Sequence, residues 1–225
     1  MSNTDSFIDE VTEEVRRDRL FGYMRRYGWI AALVVVLIVA GAAWNEYQKA
    51  QTRAQAEAFG DAMLSAVENN DAAVRAEQMA AITAESPNAQ AVLALLTAAE
   101  QVEAGQTEAA VASLNAVATQ SDIPQIYRQL ASFKALTLQS DTLPADERRQ
   151  QFEALAQPGS ALRLLAEEQL ALIDIAEGTP EAAIDRYQRI LTDAEATPDL
   201  QQRSLQVIVA LGGEPDLDNL PNPVN

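Results

Sequence analysis

The chain has 225 residues, of which 48% are hydrophobic, and a formal net charge of −17 at pH 7. It contains neither cysteine nor histidine, which excludes disulfides, thiolate nucleophiles, zinc–thiolate sites and histidine bases. So much negative charge repels phosphate groups, and we therefore expect no nucleic-acid partner.

Residues 1–27 form a charged segment in which acidic residues lead and arginines follow. The helix dipole favours this order of charges. Phe7, Val11 and Val15 recur at helical spacing within it. Two interpretations stay open for this segment: a short helix lying at a membrane surface, and a frayed, solvated tail.

Residues 28–44 form a run without a charged side chain. Between Ile30 and Val39 the run lacks the polar stripe that a core helix of a globular domain shows. As a helix it would be roughly 25 Å long, close to the thickness of a bilayer's hydrocarbon core. Arginines and aromatic residues flank it, as at the two interfaces of a membrane. These flanking residues are Arg25, Arg26, Tyr27, Trp29, Trp44 and Tyr47. We therefore predict a transmembrane helix over 28–44.

A cleaved signal peptide is the competing interpretation of this run. Ile30–Ala40 has the length of an h-region, and Ala40-Gly41-Ala42 resembles a cleavage site. However, the long segment that precedes the run contains six acidic side chains, which favours an uncleaved anchor over a signal peptide.

The orientation of the anchor follows from its flanking charges. Five arginines lie between positions 13 and 27, whereas two basic side chains lie between positions 45 and 59. Positively charged flanks stay in the cytoplasm. We therefore predict a cytoplasmic segment at 1–27 and, in a Gram-negative cell, a periplasmic domain at 45–211 that is tethered to the inner membrane.

Residues 45–211 show the signs of a helical repeat. Alanine, leucine, glutamate and glutamine dominate this range, and all four favour helices. Prolines recur at nearly regular intervals, at positions 87, 124, 158 and 198. The pattern Gly-x-x-Glu-Ala-Ala begins at Gly105 and again at Gly178, two periods later. Such self-similarity predicts an all-α solenoid of helix pairs joined by short turns.

The breakers between apolar runs place nine helices, and Gly212 begins a tail rich in Gly, Pro, Asn and Asp. The predicted helices are 46–68, 71–85, 88–104, 107–119, 124–139, 145–156, 160–177, 180–195 and 198–211. The first is expected to continue from the membrane span, because no Gly or Pro separates the two. The tail, 212–225, is predicted to be disordered.

The helix-turn-helix unit of about 34 residues resembles the tetratricopeptide repeat. A small residue also opens the second helix of three pairs: Ala73, Ala110 and Ala183. The resemblance is degenerate, since no unit has the Trp-x-x-Leu-Gly opening of that repeat. The predicted fold is therefore one N-terminal transmembrane helix followed by a degenerate tetratricopeptide-like α-solenoid.

The order of these parts is similar to the YfgM-like family, the ancillary subunits of the bacterial SecYEG translocon. The parts are a basic cytoplasmic segment, a span that ends in Trp-x-x-Tyr (WNEYQKAQ, 44–51) and an alanine-rich repeat domain. The resemblance implies a periplasmic scaffold that associates with translocon subunits and with a membrane-anchored periplasmic chaperone of the peptidyl-prolyl isomerase type. An envelope-assembly or cell-division scaffold is the alternative.

The sequence contains no catalytic, cofactor or metal motif. Gly105 and Gly178 stand outside any phosphate-binding loop, and adjacent acids such as Glu167 and Glu168 do not face one another on a helix. We expect no metal, no cofactor and no small-molecule substrate. An enzyme that uses carboxylates alone is the one catalytic hypothesis left, and it requires a pocket in which acids converge.

The remaining functional surface is the groove that stacked helix pairs form, lined by the first helix of each pair. Tyr127, Arg128 and Lys134 are the candidate partner-binding residues, because aromatic and basic side chains are rare on the first helices of this acidic domain. The competing interpretation is that Tyr127 packs in the core and that the two cations balance nearby acids.

Overall fold

The computed structural model of the protein describes residues 4–219, with residues 4–24 and Ala31 described by their backbone alone. Every regular element in that range is an α-helix, which confirms the predicted all-α class. In chain order the helices are α1 (Thr4–Val67), α2 (Ala72–Ala80), α3 (Pro87–Glu103), α4 (Thr107–Thr119), α5 (Gln125–Leu138), α6 (Ala145–Leu155), α7 (Arg163–Ala176), α8 (Pro180–Leu191) and α9 (Pro198–Ala210). The chain divides into two compact units, Met1–Gly60 and Asp61–Asn225, and each is described by itself.

The first unit consists of most of α1, which runs without a break through the charged segment and the apolar run. Within Arg25–Val67, an 18-residue window has a mean hydropathy of 2.1, and none of it is buried inside the structure. The helix is therefore long and apolar enough to cross a membrane. The boundaries predicted at positions 27 and 44 stay predictions.

The six predicted flanking residues of the anchor are all exposed on α1. Trp29 and Trp44 are each 66% exposed, an unusual state for tryptophan in water. The rings of Trp44 and Tyr47 lie 6.3 Å apart, centroid to centroid, and Gln51 Nε2 donates a hydrogen bond of 3.1 Å to the Tyr47 hydroxyl. Tryptophan and tyrosine are typical of a membrane–water interface, because the ring lies in the apolar layer while its N–H or O–H group reaches a polar partner.

In the second unit, polar side chains begin several of the helices. Asp71, Ser86 and Thr197 accept hydrogen bonds from backbone N–H groups in the first turns of α2, α3 and α9. Pro87 and Pro198 occupy the position that follows such a cap, where a missing N–H costs nothing. The prolines at these two positions of the regular series are therefore helix starts.

Two glycines end equivalent helices in the same way. Gly105 follows α3 with φ 74°, and Gly178 follows α7 with φ 75°. Each donates its N–H to a carbonyl of the last turn, Val102 O at 3.0 Å and Ile175 O at 3.1 Å. This left-handed helix end needs a residue without Cβ. The glycine pattern in the sequence therefore marks equivalent structural positions.

The equivalence extends over four helices at the offset that separates Gly105 from Gly178. Helices α2, α4 and α5 precede α6, α8 and α9 by this same offset at their first residues. Buried residues coincide at it too, for example Ala98 with Ala171 and Ala110 with Ala183, all at most 2% exposed. We call α2–α5 the first copy and α6–α9 the second copy. Each copy contains one complete predicted pair of helices, α3–α4 or α7–α8, with one further helix on either side.

Three apolar clusters hold the second unit together. The first packs α3, α4 and α5, and the second packs the equivalent helices α7, α8 and α9. The third joins the copies through α5, α6 and α7, with the ring of Phe133 set edge-on against the fully buried ring of Phe152, 5.7 Å apart between centroids. The domain is thus a continuous stack in which each helix packs on its chain neighbours, as in a solenoid.

Three helices begin or end three or more residues inside their predicted bounds. α2 ends at Ala80, and the chain is extended at Ser86, as the following Pro87 requires. α7 begins at Arg163 because Gly159 has φ 86° and starts a turn. α8 ends at Leu191. In the loop that follows, the Asp193 carboxylate accepts hydrogen bonds from the backbone N–H of Glu195 and from the Arg163 guanidinium. The guanidinium of Arg163 lowers the pKa of the Asp193 carboxyl.

The start of the C-terminal tail lies against α8. Gln188 Nε2 donates to the carbonyl of Glu214 at 2.6 Å, and the N–H of Asp216 donates to Gln188 Oε1 at 3.0 Å. One side-chain amide thus satisfies two backbone groups of the tail. The disorder expected for 212–225 stays a prediction, and residues 220–225 lie outside the described residues.

One buried carboxylate ties three helices of the second copy together. Asp174 on α7 is 4% exposed and pairs with Arg149 of α6 at 2.8 Å and Arg186 of α8 at 2.7 Å. Each arginine also contacts a second acid, Glu177 for Arg149 and Glu167 for Arg186. Burial lowers the pKa of Arg149, but hydrogen bonds to Asp174 and Glu177 outweigh burial and raise it overall. The charged network therefore fixes α6 and α8 on α7.

We expect Asp174→Asn to lower the free energy of unfolding by about 3 kcal/mol. This is near the lower end for removing one partner of a buried ion pair, because each arginine keeps its second carboxylate. Urea unfolding of the full chain in detergent, followed by circular dichroism, measures the effect. Glu181→Gln is the matched control, since it removes an equal charge from an exposed first-turn position on α8. Equal losses in the two variants would contradict the role of Asp174.

Candidate functional site

A groove of about 350 Å³ lies between α3 and α5, the first helices of two predicted pairs. Its walls include Leu95 and Val102 from α3, and Leu114 of α4 also lines it. The α5 wall presents an aromatic residue, a cation and a leucine: Phe133, Lys134 and Leu138. We call this the α3–α5 groove. It is an apolar slot with one basic side chain, on the surface where the sequence predicts partner binding.

The groove's cation is the side chain of Lys134, which lies in an acidic domain. Five arginines of the second unit are engaged by carboxylates: Arg75, Arg149, Arg163, Arg186 and Arg203. Within the described residues, Lys134 is exposed and forms no ion pair or hydrogen bond. Its ammonium group is therefore available to a carboxylate that enters the groove.

The structure separates the three candidate partner-binding residues. Lys134 lines the α3–α5 groove. Tyr127 is half-buried and packs against the first apolar cluster. Arg128 is also half-buried, and its Nε atom is buried without a hydrogen-bond partner in the part of the chain that the structure describes. The partner-binding role of these residues stays a prediction, and among them Lys134 is the one placed in the groove.

The second copy has the same framework but buries a larger residue at the equivalent place. Position 114 corresponds to Tyr187, which is 1% exposed and packs between Ala171, Leu200 and Ile208. Burial, together with the nearby charge of Glu168, raises the pKa of the Tyr187 phenol to about 12. A phenol ring thus lies buried in the second copy where the first copy has a leucine.

An ion pair bridges α7 and α9 beside this ring. Arg203 of α9 donates two hydrogen bonds to the carboxylate of Glu168 on α7, at 2.9 and 3.0 Å. The equivalent positions in the first copy are Leu130 and Leu95, which cannot form such a bridge. The α3–α5 groove is therefore open for two reasons: a smaller residue at position 114 and no bridging pair.

The sequence reasoning missed the apolar walls of the groove. Leu95, Val102 and Leu138 occupy helical spacing that core residues share, so no local pattern distinguishes a wall from a core contact. The usable signal was the comparison of the two copies position by position, in which Leu114 corresponds to Tyr187. Extending the Gly105–Gly178 match along the whole copy would have shown that difference in size.

Two further cavities, of about 360 and 490 Å³, lie around α2, α3 and α4. Glu77 is the one carboxylate that lines any of the three cavities described here. Among the described residues, no cluster of three or more Asp or Glu side chains has an arrangement that could hold a metal ion. The hypothesis of a carboxylate enzyme therefore gains no candidate residues in these cavities.

Comparison with known proteins identifies one family. A family model described as a tetratricopeptide repeat-like domain matches residues 22–208. The matched range includes the apolar part of α1, all of α2–α8 and most of α9. Neither a curated protein nor a solved structure matches the chain. Domains of this kind mediate protein–protein interactions and are generally not enzymes.

The buried phenol predicts a loss of stability at high pH. The folded state holds Tyr187 protonated up to about pH 12, whereas the unfolded chain releases the proton near its ordinary pKa of 10.0. Since the unfolded state then binds fewer protons, stability falls between these two values as pH rises. Relative to Tyr187→Phe, the wild-type chain should lose about 1.3 kcal/mol between pH 9 and pH 11.

Urea unfolding of both chains at pH 9, 10 and 11 measures this difference. The phenylalanine variant is the matched control, because it keeps the ring and all other tyrosines while removing the titrating hydroxyl. Parallel pH profiles for the two chains would show that the Tyr187 hydroxyl ionises as freely in the fold as in the unfolded chain.

Proposed function

This chain belongs to the tetratricopeptide repeat-like domain family, and on that premise we propose that it is a scaffold anchored in the bacterial inner membrane by α1. Its repeat domain lies in the periplasm and binds translocon subunits and a membrane-anchored periplasmic chaperone. In this role it holds secretion partners where new periplasmic proteins emerge. It is not an enzyme.

The observation that carries the proposal is the combination of an exposed apolar helix with a repeat domain that has an open groove. The apolar window of α1 finds no cover within the described structure, as expected of a helix whose solvent is lipid. The α3–α5 groove offers an apolar slot with a lysine that forms no ion pair among the described residues. A protein partner can fill such a slot, whereas the acidic surface disfavours nucleic acid.

Tethering explains how a shallow groove can be sufficient. Two proteins anchored in the same membrane meet at a raised effective concentration, so that weak contacts give substantial occupancy. A scaffold that must release its clients benefits from weak contacts, since dissociation rates fall as affinity rises. The resemblance of the whole chain to translocon-associated proteins supplies the identity of the partners.

The proposed orientation predicts the labelling of introduced cysteines. The natural chain has no cysteine, so that Ser6→Cys and Ser140→Cys each create one thiol. Ser140 lies exposed in the turn between α5 and α6. In spheroplasts, a membrane-impermeant maleimide should label the thiol at position 140 and leave the one at position 6 unlabelled until the membrane is permeabilised. The reverse pattern would place the repeat domain in the cytoplasm.

Photo-crosslinking in intact cells tests the partners. A benzophenone amino acid at Val102, an exposed wall of the groove, should yield adducts that contain translocon subunits or periplasmic folding factors. The same probe at Gln150, exposed on α6 outside the groove, is the matched control and should give few of them. Adducts with division or envelope-assembly proteins at Val102 would instead support the alternative scaffold.

A further inference from the structure

The two copies of the four-helix framework allow an internal comparison of the α3–α5 groove with the equivalent place in the second copy. The small residues at the helix contacts are the same, Ala98 and Ala110 in the first copy and Ala171 and Ala183 in the second. The backbone framework is therefore alike at these contacts. The side chains differ: the second copy buries the Tyr187 ring where the first copy buries Leu114, and Gln206 and Val207 stand where the groove has Phe133 and Lys134.

The open groove is lined by apolar side chains against which an aromatic ring can pack. Leu95, Val102 and Leu138 provide aliphatic walls, and Phe133 offers an aromatic neighbour. Its volume of about 350 Å³ is ample for one aromatic side chain and the backbone that bears it. Aromatic anchors dominate the energetics of protein interfaces when they enter such slots.

The charges restrict the occupant further. Lys134 lines the groove without an ion pair among the described residues, and a carboxylate beside the aromatic anchor would satisfy it. A strongly acidic segment would be repelled by the domain, whose chain has a net charge of −17. One carboxylate next to one aromatic residue is the combination that fits.

We propose that the α3–α5 groove is a pocket for an aromatic side chain of a partner protein, with a neighbouring carboxylate of the same segment paired to Lys134. The partner's ring takes the place in the first copy that Tyr187 takes in the second. This inference rests on the proposed function, because it names the chemistry by which the scaffold recognises a partner.

The test uses the full chain in detergent, with its leucine and valine methyl groups labelled for NMR, and the peptide Ac-Gly-Asp-Phe-Ser-Asn-NH2. The peptide should shift the methyl signals of Leu95, Val102 and Leu138. Replacing its Phe by Ala should weaken binding by about 30-fold or more, as for an interface anchor. Replacing its Asp by Asn should weaken binding about two- to fivefold, as for a rim ion pair.

Two variants close the groove from different sides. Leu114→Tyr introduces the residue of the second copy and should abolish the peptide-induced shifts. Ala99→Trp adds a ring at an exposed position that lines the same groove, so it tests the pocket even where position 114 does not accept tyrosine. Lys134→Gln should give the same loss as the peptide's Asp→Asn change, and the two changes together should add nothing.

Binding that survives both groove-closing variants, or that is equal for the Phe and Ala peptides, would overturn the proposal. This outcome is distinct from a failure of the proposed function. If the peptide binds as expected but crosslinking from Val102 yields no secretion factor, the pocket stands and the assigned partners are wrong. If secretion factors crosslink but the peptide shifts no groove methyl, the partners stand and the pocket is wrong.

Discussion

Contact between helices through alanine is the constraint on which the repeat domain depends. Ala91, Ala110 and Ala131 are completely buried where α3, α4 and α5 meet. An alanine side chain ends at Cβ, so that helices can approach to the short end of the usual separation of roughly 8–10 Å. A larger residue at these positions would push the helices apart and open every contact that follows along the stack. The dominance of alanine in the sequence therefore reflects geometry as well as helix propensity.

Alanine contacts bury little apolar area per helix. In the second copy, ion pairs also fix the helices relative to one another. Asp174 links α6, α7 and α8 through two arginines, a network that specifies orientation more than it adds stability. The first copy has a related contact at its start, where Arg75 of α2 meets Glu100 and Glu103 of α3. In both copies an arginine on one helix thus contacts two acids, one turn apart, near the end of the next helix.

The sequence predicts the framework well because its signals are local. Prolines, capping residues and the Gly105–Gly178 pattern each act within one turn of a helix, and they place most helix ends close to where the structure has them. The groove is not local: its walls come from α3, α4 and α5, and it is open because position 114 has a leucine and because no ion pair bridges the described residues of α3 and α5. The sequence predicts Lys134 as a candidate because basic side chains are rare on the first helices. Leu114 has no such local signal, and its importance appears only when its position is compared with Tyr187.

The difference between the α3–α5 groove and the equivalent place in the second copy, where Tyr187 is buried, bears on function. A ring at position 114 would remove more apolar surface from water than leucine does, at about 25 cal/mol per Å². Leu114 is itself 1% exposed, but it leaves walls of the groove such as Val102 exposed to solvent. In a domain of marginal stability that is a substantial loss. The loss is recovered when another molecule supplies the ring, so that the same interaction that would stabilise the fold becomes the free energy of binding a partner.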